Sequence, residues 1–164
     1  MSHDLSVELG RLLDQFDENR RAVEQRKRQV KADEDAFREG FARLRASVIR
    51  PVFEAAGAIL KARQHDFSVT EDEAVEGGSG AGEAAICIRV MPAGTASTSL
   101  TGARFPSLCF VTRHYNKTVC VLASNAVPMP SGPAGSRGDY RLAQIDAELV
   151  QAELLKLIAG IVNT

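Results

Sequence analysis

From Arg11 to Glu39 the chain contains neither glycine nor proline, and Glu, Arg, Lys, Gln, Ala and Leu dominate it. These residues lose little freedom on entering a helix. Apolar residues recur at every seventh position: Leu9, Phe16, Val23, Val30, Phe37 and Leu44. Leu5, Leu12 and Leu13 widen this stripe at one end, and Phe41 and Val48 widen it at the other. Between them, Asn19, Arg20, Arg26, Lys27, Asp33 and Glu34 stand where a second apolar row would fall. A seven-residue repeat favours a left-handed supercoil with another helix over burial against a sheet.

Length carries the point further. About 40 helical residues span ~60 Å, whereas the rest of the chain would form a body with a radius of gyration near ~13 Å. The helix is expected to overhang that body. A charged helix without packing is marginal in water, so residues 1–48 are read as an oligomerisation or partner helix, coiled-coil-like in pattern. Its charges come in blocks: Asp14, Asp17 and Glu18 are acidic, Arg20, Arg21, Arg26, Lys27, Arg28 and Lys31 are basic, and Asp33, Glu34 and Asp35 are acidic again. Parallel in-register pairing sets like block beside like block. Antiparallel pairing about Val23 sets Leu9 opposite Phe37 and Phe16 opposite Val30, and brings Glu18 near Arg28 and Asp14 near Lys31. The pattern points to a homodimer, antiparallel in this reading, or to a helical partner. The basic block does not suit nucleic acid. It has no aromatic neighbours, acidic residues flank it, and phosphate binding wants a sustained basic face.

Residues 49–164 read as an α+β domain. Pro51 biases Arg50 away from helix, which predicts a kink or restart. Val52, Phe53, Ala56, Ile59 and Leu60 make the apolar face of a short second helix. Strands are expected near His65–Glu71 and Ala84–Met91, with Pro92 ending the second. The glycine-rich segment 76–83 and the Thr/Ser/Gly-rich segment 93–102 read as loops. A hairpin is expected over Ser107–His114 and Lys117–Asn125, turning at Tyr115-Asn116. Its parity places Leu108, Phe110, Thr112, Val119, Val121 and Ala123 on one face, and Cys109, Val111, Arg113, Cys120 and Leu122 on the other. Both faces are largely apolar, so the hairpin should be central or covered on its second side. An irregular stretch, Val127–Gly138, precedes a short strand at Tyr140–Leu142. Asp146 then caps a last helix whose stripe is Val150, Leu154, Leu157, Ile158 and Ile161, with Ile145 stapled against Val150. The expected sum is a small antiparallel sheet of four to five strands with the C-terminal helix packed on it.

No motif specifies a reaction. The three cysteines sit in apolar strand-like segments without a Cys-x-x-Cys pair or suitably spaced histidines, and read as reduced core thiols, with no metal or cofactor implied. His65, Asp66 and His114 supply titratable groups, but adjacency in sequence is not active-site geometry. The remaining site candidate is the loop 131–140. Gly135 and its neighbours let backbone amides approach an anion, Ser131 and Ser136 add hydroxyls, and Arg137 adds a charged fork, with Arg113 and His114 nearby. It lacks the lysine and the strand-loop-helix setting of a P-loop. With a net charge of -1, no apolar run of the ~20 residues that a membrane helix needs and no signal-peptide pattern at the start, the chain reads as cytoplasmic. The function expected is therefore a non-enzymatic assembly module that homodimerises through its N-terminal helix. The alternative is an anion- or small-ligand-binding domain, enzymatic or not, using residues 131–140.

Overall fold

The computed structural model describes residues 2–74, 82–93, 105–124 and 135–162. By packing, the chain divides into two compact units, Met1–Phe37 and Arg38–Thr164.

Helix α1 runs from Ser2 to Leu44. A π turn over Arg45–Ile49 and helix α2, Arg50–Ala62, continue it. Arg50 keeps helical angles, φ -59 and ψ -46, so the departure from helix expected at the residue before Pro51 does not occur; the π turn stands there instead. Two features explain this. Pro51 falls in the first turn of α2, directly behind the π turn, and its fixed φ suits a helix. The Arg50 N–H bonds to the Arg45 carbonyl five residues back, which opens the turn that meets the proline ring.

Within the second unit, Phe41, Arg45, Ile49, Phe53 and Gly57 are all buried, each four residues after the last. Four residues overshoot one α-helical turn by about 40°. A row at that spacing would wind around the helix. The π turn holds more residues per turn and swings the row back onto one side. Arg45, only 8% exposed, completes the row as a polar bolt. Its guanidinium donates to the Asp72 carbonyl at 3.1 Å, to the Ala85 carbonyl at 3.4 Å and to Glu73, and it lies 5.8 Å from the Phe41 ring centroid. Arg50 and Glu54 extend this edge, with Arg50 Nε donating to Glu71 at 3.0 Å. That contact, then Glu54, raises the Arg50 pKa above its ordinary value. The apolar face predicted for α2 holds at Phe53, while Ile59 is 63% exposed and Gly57 takes the buried place instead.

Five strands follow in a meander: β1 Asp66–Asp72, β2 Ala85–Met91, β3 Ser107–Arg113, β4 Thr118–Ser124 and β5 Gly135–Tyr140. Their order in the sheet is β1-β2-β3-β4-β5, and every pairing is antiparallel. The β3–β4 hairpin is central, as its two apolar faces require. Its register, Leu108↔Ala123 through Thr112↔Val119, sorts the residues onto the two faces predicted. The turn is wider than expected, His114 to Lys117, with Lys117 rather than Asn116 in the left-handed region at φ 54. The last strand departs from expectation. It occupies Gly135–Tyr140, inside the stretch read as irregular, and Leu142–Gln144 is a 3-10 turn. A bulge opposite Val121/Leu122 admits Arg137 and lets Gly138 take φ 135, which glycine alone tolerates readily.

Helix α3, Ala147–Val162, begins at Asp146, whose Oδ1 accepts the Leu149 N–H at 2.8 Å. Its Val150, Leu154 and Leu157 are buried, with Ile158 and Ile161 half-buried. Helices α2 and α3 cover the sheet face of Ile86, Ile88, Leu108, Phe110, Val119 and Val121, all fully buried, with the Phe53 and Phe110 rings 6.1 Å apart. The opposite face, with Cys87, Cys109, Val111 and Leu122, is half-buried. Among the described residues no helix is long and apolar enough to cross a membrane.

Candidate interaction surface

Two places can be weighed as sites: the stripe on α1 and the sheet end where the anion-binding residues were expected.

Along α1 the side chains of Asp4–Leu9 and Arg11–Ala32 are all exposed. This span includes Leu5, Leu9, Leu12, Leu13, Phe16, Val23 and Val30; Phe16 alone leaves 62% of its surface in water. Isolated exposed apolar residues are ordinary; here they fall in a line along one face of one helix. The stripe changes character at its C-terminal end. Phe37 is 5% exposed and Leu44, in the second unit, is half-buried. Pairing about Val23 needs Phe37 opposite Leu9 and therefore finds one of its anchors already buried. Within α1 the charges are partly answered: Arg11 meets Glu8 at 2.6 Å, Arg20 meets Glu24 at 3.7 Å, and Gln29 donates to Asp33 at 3.0 Å. Such exposed pairs, screened by water, help the helix only slightly.

At the sheet end, each anion-site candidate that can be placed has an internal partner. Ser131 lies outside the described residues, as does the 125–134 segment that precedes β5, and Gly135 contributes backbone to β5. Arg137 donates to Glu153 on α3 at 3.4 Å, and Lys156 donates to the same carboxylate at 3.2 Å. Glu153 is 2% exposed. A buried carboxylate requires such partners, so Arg137 serves it before any outside anion. Arg113 belongs to the other sheet face. It meets Asp139 at 3.3 Å, the Tyr115 hydroxyl at 2.9 Å and the Cys120 sulfur at 3.2 Å. The Tyr115 contact, followed by those to Cys120 and Asp139, holds its pKa above the ordinary arginine value. Ser136 joins it through Cys120, Oγ to Sγ at 3.4 Å. The structure thus brings Arg113 and Ser136 together and sends Arg137 across the sheet, away from them.

His114 stands apart again, in the β3–β4 turn. Arg38 Nε donates to its Nε2 at 3.2 Å, so Nδ1 carries the proton that meets Glu83. Glu83 also accepts from the Thr112 hydroxyl at 2.8 Å. This knot was not legible beforehand, because its members lie far apart in sequence: the register of β2 against β3 brings Glu83 to Thr112 and His114, and α1 supplies Arg38. His65 is likewise engaged, its Nδ1 accepting the Ala93 N–H at 2.9 Å.

The cysteines differ from expectation. Cys87 and Cys109 form a disulfide, with Cα atoms 4.1 Å apart, and Cys120 is buried and free. The register explains the pairing. Bonds from Thr112 N to Ala84 O and from Val90 N to Pro106 O, both 2.9 Å, put the hydrogen-bonded pairs of β2 and β3 at even numbers. Cys87 and Cys109 therefore oppose each other at a position without such bonds, where side chains come closest. No group of three or more metal-binding side chains occurs among the described residues.

No family model, curated protein or solved structure matches this chain.

Proposed function

We propose that this protein is a non-enzymatic assembly module that self-associates through α1. One observation carries the reading: an unbroken helix whose side chains from Leu5 to Val30 are exposed on every side but for Gly10, with apolar residues at heptad spacing among them. A helix of this kind gains its stability by packing, and a heptad line packs best against another helix. The anion-binding alternative has less support, since Arg137, Arg113 and His114 each hold a protein group. The 131–140 segment remains its seat if it operates.

Light scattering over a range of concentrations tests the proposal. The chain of 17.7 kDa should approach twice that mass as concentration rises. Phe16→Asp should hold it at the single-chain mass with the circular dichroism of the sheet domain unchanged. A wild-type chain that stays single throughout the range removes the reading.

A further inference from the structure

We infer that the partner of α1 is a second copy running antiparallel, overlapped over Leu5–Val23 rather than about Val23. This rests on the self-association reading and specifies its geometry. In heptad terms Leu9, Phe16, Val23 and Val30 occupy one core row, and Leu5, Leu12, Asn19, Arg26 and Asp33 the other. Antiparallel helices stack each residue of one row against the other row of the partner, so the register can move only in heptad steps.

Each register can be judged by what it buries. Setting Leu12 against Phe16 of the other copy also sets Leu5 against Val23 and Leu9 against Asn19. Every layer occurs twice by symmetry, and the two Leu13 side chains approach across the axis. Between Leu5 and Val23 no charged residue enters a layer; Arg26 falls only at the margin, opposite Ser2 at the start of the partner helix. One step toward the C-terminus, Leu12 meets Val23 but Leu9 meets Arg26, which places a guanidinium in the seam twice over. One step toward the N-terminus, only Leu5 with Phe16 and Leu9 with Leu12 remain as apolar layers, and Val23 is left out. Parallel in-register pairing stacks Arg26 on Arg26 and Asp33 on Asp33, like charges in contact. The favoured register uses the residues that the structure leaves exposed, Leu5, Leu9, Leu12, Leu13, Phe16 and Val23. It makes no demand on Phe37, which is buried. Gly10 and Arg11 fall outside the seam, and the Glu8–Arg11 pair survives at its margin.

Cysteine cross-linking distinguishes the arrangements. Leu9→Cys and Asn19→Cys are made separately, oxidised mildly alone and as an equimolar mixture, with the wild-type chain as background for its own thiols. The mixture should give a disulfide-linked dimer, and neither variant alone should exceed background. Leu5→Asp should raise the dissociation constant at least about tenfold while Val30→Asp leaves it unchanged. Self-cross-linking of Leu9→Cys, or weakening by Val30→Asp equal to that of Leu5→Asp, overturns the antiparallel register while self-association stands. A wild-type chain that remains single up to about 100 µM overturns both.

Discussion

Three helical glycines allow one substitution to be read with three different outcomes. Replacing a helical glycine by alanine gains about 1 kcal/mol of helix propensity. At Gly10 the new methyl meets nothing within 4 Å, so that gain should appear undiminished as added helicity in α1. At Gly40 it would come within 2.7 Å of Leu142 Cδ1, the far end of a flexible side chain that can swing aside. Gain and cost should nearly cancel there. At Gly57 it would overlap Cζ, Cε1 and Cε2 of the Phe67 ring more closely still. That ring is held between α2 and β1, with Lys61 Nζ 5.5 Å from its centroid, and it cannot leave without giving up its half-buried site. Overpacking of this kind costs about 1–3 kcal/mol, and losing half of a phenylalanine's burial adds about 1 kcal/mol. After the propensity gain is subtracted, Gly57→Ala should lose about 1–3 kcal/mol, a midpoint lower by roughly 3–9 °C for a chain of this size. Thermal melts followed by circular dichroism give the comparison. If Gly57→Ala melts at or above the wild-type midpoint, the close packing of α2 on β1 is misjudged.

Other perturbations test separate parts of the structure. Reducing Cys87–Cys109, whose partners are 22 residues apart, should lower unfolding free energy by about 3 kcal/mol, seen as a shift of the denaturant midpoint with and without dithiothreitol. Arg137→Ala should cost about 2 kcal/mol, less than a fully buried pair because Lys156 still reaches Glu153; in the Glu153→Gln background the same change should cost much less, a coupling that urea titration of the four chains can measure. Asp146→Ala should remove the α3 cap and about 1 kcal/mol in the same assay.

What could be read beforehand was whatever local periodicity dictates. The α1 helix, the two hairpin faces and the Asp146 cap each depend on neighbours within a few positions, and each stands where the pattern put it. The misreadings share a different cause. Glycine-rich 135–138 carries no strand signal; the hydrogen bonds of β4 recruit it. The disulfide follows from how β2 slides against β3, which no tight turn specifies. Nothing in the local pattern marks Arg45, because its carbonyl partners, Asp72 and Ala85, lie beyond the end of the helices. Arg137 likewise looked free until α3 presented Glu153 to it.

The five residues from Arg45 to Ile49 also govern how many amino acids the helix may contain. Deleting any one of them would convert the wide turn to an ordinary one and spin everything downstream by about 100°. Phe53 and Gly57 would then swing off the line that Phe41 and Ile49 define, and Pro51 would meet a carbonyl it now avoids. Point changes at the outward positions Ala46 and Ser47 should pass almost unnoticed, yet a missing codon there should abolish the domain. Length, at this one place, constrains the fold as strictly as chemistry.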